Sequence, residues 1–115
     1  MNIATEYGTV TLEAEVAASI AGFAATNCVG VKGMTHTSVK DGIVYLLKRE
    51  AMTKGVKVIE RDGKIDLELH IAVDHGVNIC AVGKSIIGEV RYHVERQAGV
   101  PVGRIDICVD SIRID

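Results

Sequence analysis

At 115 residues the chain has the size of one domain, and we predict a single domain over residues 1–115. The formal net charge of −2, with both signs mixed along the chain, argues against non-specific nucleic-acid binding, which depends on a basic surface. The cysteines Cys28, Cys80 and Cys108 are odd in number and widely spaced, which indicates buried thiols in a reducing, cytoplasmic setting. Met1–Tyr7 lacks the basic start and apolar run of a signal peptide, and no helical pattern is apolar enough to span a bilayer.

The first third of the chain is predicted to form a strand, a helix and a second strand. Met1–Tyr7 is polar and is expected to be frayed, and Gly8–Leu12 reads as a short strand. Glu13–Asn27 has the spacing of an amphipathic helix that ends at Asn27. Val29–Met34 reads as a short extended segment weakened by two glycines. The predicted buried face of the helix consists of Val16, Ile20, Phe23 and Ala24, with Ala17 and Ala21 beside it.

A second, shorter helix is predicted after a polar loop. Ser38 followed by Asp41 is a reasonable N-cap pattern, and the basic pair Lys48-Arg49 suits the last turn. Its predicted buried residues are Ile43, Leu46 and Leu47. Thr53–Gly55 then leads the chain into the next strand.

A β-hairpin is the best determined prediction. The residues from Ile65 to Val73 alternate between apolar and polar side chains, as a strand with one buried face requires. Asp62-Gly63 lies just upstream, and an Asp-Gly pair is a strong signal for a two-residue turn with positive φ. This turn places Val58 opposite Leu67, Val56 opposite Leu69 and Lys57 opposite Glu68. The register therefore gathers apolar residues on one face and opposite charges on the other.

The last third of the chain is predicted to form a long helix and a final strand. Asn78 caps a helix over Ile79–Ala98, and Gly99 and Pro101 prevent its continuation. Its apolar face consists of Val82, Ile86, Val90 and Val94. In Gly103–Ile114, apolar and polar residues alternate as in a strand as far as Val109. Ile112 and Ile114 then occupy positions at which this alternation would place polar residues. This change predicts a bulge or an edge, with Val109, Ile112 and Ile114 as candidate self-association residues.

The predicted order of elements is β-α-β-α-β-β-α-β. Paired antiparallel strands with three helices packed on one face favour an α+β two-layer sandwich with a mixed or antiparallel sheet. The order of the strands within the sheet cannot be read from the sequence.

The sequence contains little that indicates a catalytic or metal site. The carboxylates of pairs such as Asp66 with Glu68 alternate with apolar residues, which is typical of a solvated sheet face, and no carboxylate is flanked by an apolar pocket. No histidine pair has the spacing of a structural zinc site, and no nucleophile signature is present. Asp74, His75 and Cys80 bracket one turn and are the weak alternative for a metal site. We therefore predict no enzyme activity, no cofactor and no metal.

Gly30-Val31-Lys32-Gly33 offers a second alternative. In KH domains a G-x-x-G loop joins two helices and clamps a nucleic-acid backbone. Here the segment contains one basic residue and reads as extended, so each glycine is better explained by backbone clearance or a bulge. A KH-like nucleic-acid-binding module is kept as the alternative function.

Six ordered segments resemble the alkaline shock protein family, the envelope stress response proteins of Gram-positive bacteria. They are Glu15–Ala21, Val29–Val31 with Met34, Lys54–Val58, Asp66-Leu67, Gly76–Ile79 and the end of the chain from Val109. The most specific residues are Gly55, Val56, Val58, Gly76, Val77, Asn78 and Ile79. The chain departs from the family pattern at His75, where a tyrosine is common, and at Cys80, where a proline is common. It also lacks long charged extensions and is therefore similar to the small, single-domain branch.

The resemblance implies a non-enzymatic, self-associating structural or scaffolding protein linked to envelope stress response or cell envelope homeostasis. Members of this family form homo-oligomers, and some are held at the cytoplasmic membrane by a membrane-anchored relative. The expected partners are therefore a second copy of the chain and a protein of that kind. The expected location is the cytoplasm, peripheral to the membrane through that partner.

Overall fold

The computed structural model describes residues 1–38 and 40–114 of the chain. The strands are β1 (Asn2–Thr5), β2 (Gly8–Thr11), β3 (Val31–Thr37), β4 (Val44–Leu46), β5 (Val56–Arg61), β6 (Lys64–Asp74) and β7 (Val102–Arg113). The helices of the described part are α1 (Ala14–Thr26), a 3₁₀ helix (Arg49–Gly55) and α2 (Ile79–Ala98). The predicted α+β class, with three helices and a mixed sheet, is confirmed.

The five-stranded sheet is built around β6. On one side, β5 pairs antiparallel with the first half of β6 and β3 pairs antiparallel with its last residues. On the other side, β7 pairs with β6 in parallel along most of its length. The strand β4 extends the sheet beyond β3, and β1 and β2 form a separate two-stranded hairpin.

The β5–β6 hairpin has the predicted register. Val58 lies opposite Leu67 and Lys57 opposite Glu68. The turn residues Asp62 and Gly63 have φ values of 52° and 77°, so both adopt the left-handed conformation that this turn requires. The alternating residues of β6, from Ile65 to Val73, are at most 2% exposed and form the centre of the core.

Helix α2 covers this apolar face and begins and ends where the sequence predicts. Its residues Val82, Ile86, Val90 and Val94 are all buried. The side chain of Asn78 accepts a hydrogen bond from the backbone N–H of Ala81 at 3.1 Å, which caps the first turn. Gly99 ends the helix with a φ of 72°.

The predicted bulge lies at Asp110. Val109 pairs with Ile71, but the next pair along β7 joins Ser111 to Ala72, so Asp110 is the extra residue. The extra residue shifts the alternation of side chains between the two faces by one position. Ile112 therefore lies opposite Val73 and stays on the face that carries the core. The irregular apolar pattern is therefore a consequence of one inserted residue.

The predicted buried face of α1 is wrong at Val16 and Phe23, whereas Ala24 is buried as predicted and Ile20 is partly buried against the core. The buried residues of the helix are small, namely Ala17, Ala18, Ala21, Gly22, Ala24 and Ala25. The larger residues Val16 and Phe23 are 48% and 47% exposed. The fully buried positions of α1 are alanine and glycine because the helix packs closely there, so Ile20 is only partly buried and Val16 and Phe23 lie outside.

The predicted helix between Ser38 and Arg49 is also wrong. This segment forms β4, in which Leu46 pairs with Thr35, and the 3₁₀ helix follows. The backbone N–H of Leu47 donates to the Met34 carbonyl at 2.8 Å, so the edge of β3 supplies the hydrogen bonds that a helix would have supplied. Val39, within the predicted loop, lies outside the described residues.

The expectation of a frayed N-terminus is corrected as well. Residues Asn2–Thr5 form β1, which pairs antiparallel with β2 and places Ile3 opposite Val10. Met1, Ile3 and Leu12 are partly buried against the core. Burial of these apolar side chains anchors the hairpin to the domain.

Candidate functional site

The outer edge of β7 is the predicted self-association surface. Within the described part of the chain, β6 is the one strand that pairs with β7, so the outer edge of β7 is open to another strand. The exception is its start, where the carbonyls of Val102 and Gly103 accept hydrogen bonds from Arg91. Ile112 is 53% exposed and Ile114 is 87% exposed. Val109 differs from them, because it is only partly exposed and packs against the core. The surface therefore consists of the strand edge with Ile112 and Ile114, and its role in assembly remains a prediction.

Gly55 and its neighbours in the family motif have packing roles. A Cβ atom at Gly55 would lie 3.0 Å from the Thr35 carbonyl oxygen and 3.0 Å from the Met34 Cβ. Glycine is therefore required where the chain enters β5 beside β3. Val56 and Val58 are partly buried against the core. These residues build the scaffold rather than a binding site.

The second family motif builds the start of α2. Gly76 turns the chain with a φ of 88°, and Asn78 caps the helix. Val77 and Val82 close over Gly30, where an added Cβ would lie 2.9 Å from a methyl group of Val82. Ile79 is 42% exposed, and its place in the motif has no explanation in the packing.

The segment Gly30–Gly33 does not have the KH arrangement. Val31–Thr37 forms strand β3, so the two glycines flank the start of a strand and do not lie in a loop between two helices. Gly33 faces Leu46 of β4, whose Cδ1 would lie 3.0 Å from an added Cβ. Backbone clearance accounts for both glycines, as the sequence indicated.

The alternative metal site at Asp74, His75 and Cys80 is not assembled. In the structure as described, the one cluster of three potential ligand atoms lies elsewhere, at Glu68, His70 and Cys108. The backbone N–H of His75 donates to the Arg113 carbonyl at 2.8 Å and so continues the β6–β7 ladder. All three cysteines are free, but only Cys28 is fully buried, while Cys80 is exposed and Cys108 half-buried.

A polar cluster lies on the face of the sheet that the helices leave open. It consists of Thr35 on β3, Glu68 and His70 on β6, and Cys108 and Asp110 on β7. His70 lies directly opposite Cys108 in the β6–β7 register. The imidazole is held between two carboxylates, with Nε2 3.1 Å from Glu68 Oε2 and Nδ1 2.9 Å from Asp110 Oδ2. The hydroxyl of the buried Thr35 donates to the same Asp110 oxygen at 3.1 Å.

The cluster changes the protonation of two of its members. Burial lowers the pKa of His70, but hydrogen bonds from its ring to Glu68 and Asp110 outweigh burial and raise the pKa above its usual value. Burial raises the pKa of the Cys108 thiol, and the nearby carboxylates of Glu68, Asp110 and Asp106 raise it further. The metal-free cluster therefore favours a protonated imidazole beside a neutral thiol.

One hollow lies beside the polar cluster, and a separate groove lies between the two α-helices. A hollow of about 270 Å³ lies beside the polar cluster and is lined in part by Glu68 and His70. A larger groove of about 720 Å³ runs between α1 and α2, with Phe23 on one wall and the pair Glu89–His93 on the other. The Nε2 atom of His93 lies 3.2 Å from Glu89, on the exposed side of α2.

The sequence predicts the cluster only as a solvated sheet face. His70 and Glu68 are on the polar parity of their strand, as expected, but Cys108 and Asp110 come from a strand about forty residues later. Their meeting depends on the parallel pairing of β6 with β7, which the sequence does not reveal. The matching polar parity of Cys108 and His70 is the one signal that could have indicated it.

The chain belongs to the alkaline shock protein family, whose sequence model matches residues 2–114 and is described as having a cell envelope-related function. It is 31% identical to the uncharacterized protein YloU of Bacillus subtilis over 99% of this chain and 96% of that protein. It is 32% identical to the uncharacterized protein Spy1614 of Streptococcus pyogenes over 99% of this chain and 95% of that protein. A third relative, the uncharacterized protein YqhY of Bacillus subtilis, is 30% identical over 96% of this chain.

The names of these relatives assign them no enzymatic activity. No solved structure matches the chain. Across residues 1–38 and 40–114, none of the helices has both the length and the apolar character needed to cross a membrane.

Proposed function

We propose that this protein is a non-enzymatic structural protein that self-associates through the outer edge of β7 and supports the cell envelope from the cytoplasm. The observation that carries the proposal is the unpaired edge of β7 beside the exposed side chains of Ile112 and Ile114. An edge of this kind is a template for a strand from another chain, because its backbone groups already have the spacing of a sheet. The cell envelope-related description of the family supports the cellular role.

Two modes of assembly use this edge. Two copies of β7 can pair antiparallel around a two-fold axis, which buries both edges and closes the assembly as a dimer. Alternatively, β7 can pair with β5 of a second copy, which continues the sheet and leaves an edge open for further copies. In both modes Ile112 and Ile114 lose solvent contact, so the same substitutions test both.

Size-exclusion chromatography with light scattering tests self-association. The double variant Ile112→Lys, Ile114→Lys should shift the oligomer to monomer, because two charges would be desolvated at the new strand pair. Val10→Lys is the matched control, since Val10 is 54% exposed and lies in the separate β1–β2 hairpin. Circular dichroism should show that both variants remain folded. A wild-type protein that is monomeric at high micromolar concentration would contradict the proposal.

Association with the envelope is tested by affinity capture from a lysate that includes solubilised membranes. A membrane-anchored relative of the same family should be recovered with the wild type and reduced with the β7 double variant. Recovery of the same proteins with wild type and double variant would show that the partner binds another surface.

A further inference from the structure

We propose that Glu68, His70 and Cys108 form a binding site for a divalent transition metal ion, with Zn²⁺ as the best fit. One ligand atom from each of these residues lies within 4.8 Å of the other two, so a modest side-chain movement suffices to bring all three onto one tetrahedral ion. Thiolate, imidazole and carboxylate are ligands of zinc sites, whereas Mg²⁺ and Ca²⁺ prefer oxygen alone. This inference does not depend on self-association.

The surroundings of His70 resemble the outer shell of a metal site. Its Nδ1 is 2.9 Å from Asp110, so this nitrogen donates to the carboxylate and Nε2, beside Glu68, is the ligand atom. A metal-bound histidine commonly donates its other N–H to a carboxylate, which fixes the orientation of the ring. The buried hydroxyl of Thr35 holds Asp110 in turn, so the imidazole is oriented by two successive hydrogen bonds.

The fold supports this arrangement. Cys108 and Asp110 are two residues apart on β7 and therefore share the open face with His70, and the bulge at Asp110 returns Ile112 to the opposite face. The hollow of about 270 Å³ beside Glu68 and His70 leaves space for a water molecule as a fourth ligand. Three protein ligands and one water molecule form a coordination set that zinc adopts in proteins.

The simpler explanation is an ion-paired histidine on a solvated sheet. That explanation requires only carboxylates near the ring, and the structure offers an example of it at His93 and Glu89 on α2. It gives no role to Cys108. The thiol is therefore the residue on which a test should focus.

Metal binding is measured on the purified full chain after treatment with chelator. Isothermal titration with Zn²⁺ should give one ion per chain, and Cys108→Ser and His70→Ala should each weaken the affinity at least about tenfold. Co²⁺ should give the near-ultraviolet charge-transfer band of a cobalt–thiolate bond in the wild type and not in Cys108→Ser. The controls are Cys80→Ser and His93→Ala, which should bind both ions as the wild type does.

A second measurement uses the unmutated chain, so that a folding defect in a variant cannot obscure the result. Zn²⁺ should slow alkylation of Cys108, followed by mass spectrometry, and should leave alkylation of the exposed Cys80 unchanged. Substoichiometric zinc, or equal alkylation of Cys108 with and without zinc, would overturn the proposal. A cobalt complex that lacks the thiolate band would overturn it as well.

Discussion

Thr35 Oγ1 donates a hydrogen bond to Asp110 Oδ2 at 3.1 Å, although 75 residues separate the two in the chain. The bond crosses over β6, because Thr35 lies on β3 and Asp110 on β7, at the two sides of that strand. Thr35 is the buried polar residue of the described core and has no exposed surface. Its hydroxyl is thus satisfied by a carboxylate that also holds His70, and the three strands are joined through side chains as well as through the backbone.

Thr35→Val should destabilise the protein. Valine keeps the shape of the side chain but removes the donor to a charged acceptor, so the free energy of unfolding should fall by about 1–3 kcal/mol. Urea denaturation followed by circular dichroism gives this value. Thr37→Val is the control, because Thr37 is exposed near the end of the same strand, and its effect should stay within about 0.5 kcal/mol. Equal effects of the two substitutions would show that the hydrogen bond to Asp110 contributes nothing.

Gly55→Ala and Gly88→Ala should change the stability in opposite directions. An added methyl group at Gly55 meets the Thr35 carbonyl oxygen and Met34 Cβ at 3.0 Å, so the backbone must move, at a cost of about 1–3 kcal/mol. At Gly88, in the middle of α2, it meets nothing within 4 Å. Alanine there should raise the free energy of unfolding by about 0.5–1 kcal/mol. Thermal unfolding of both variants provides the comparison, and a stabilised Gly55→Ala would contradict the close backbone approach.

Ala21→Leu should test the packing of the small-residue face of α1. Ala21 is fully buried, and three additional carbon atoms at this position should cost about 1–3 kcal/mol by overpacking. Val16→Leu makes a smaller change on the exposed side of the same helix, and we expect no measurable loss. If Val16→Leu were the more destabilising variant, the face that α1 presents to the core would be the one first predicted from the sequence.

Asp66 provides a test of pH dependence. Arg61, which donates to its carboxylate at 2.8 Å, and the backbone N–H of Arg104 lower the pKa of Asp66. Because the folded-state pKa is lowered, the stabilising effect is present above the unfolded pKa and is lost as the pH falls through the folded value. In a carboxyl-carbon NMR titration, Arg61→Gln should raise the pKa of Asp66. Lys64→Gln removes a charge from the same hairpin without removing this hydrogen bond, and it should leave the titration nearly unchanged.

Local signals were sufficient for those parts of the fold that local geometry determines. Asp62-Gly63 specifies a turn with positive φ at both positions, and the turn fixes the register of β5 with β6. Asn78 and Gly99 similarly mark the two ends of α2. At these places the residue itself carries the conformational preference.

Elements that depend on distant contacts could not be predicted in this way. The segment 43–47 has an acceptable helical pattern, but it forms β4 by pairing with the edge of β3. Tertiary structure here overrides a weak local preference for helix. The apolar spacing of α1 does not reveal how closely the helix approaches its neighbours, so it predicts burial of Val16 and Phe23 and places the alanines beside them. The polar cluster requires knowledge of the β6–β7 pairing, and this pairing joins residues on either side of a 20-residue helix.

The position of β7 after α2 also has a consequence for synthesis of the chain. While the nascent polypeptide leaves the ribosome, β6 can pair with β3 and β5 before β7 has been translated. During that interval β6 has one open edge, and the core around Leu69 and Ile71 lacks the buried side chains of Val102 and Ile105. Exposed strand edges and apolar surface are the features that lead to aggregation and that chaperones bind. We therefore expect truncation before Val102 to yield an aggregating, chaperone-bound product rather than a smaller stable domain.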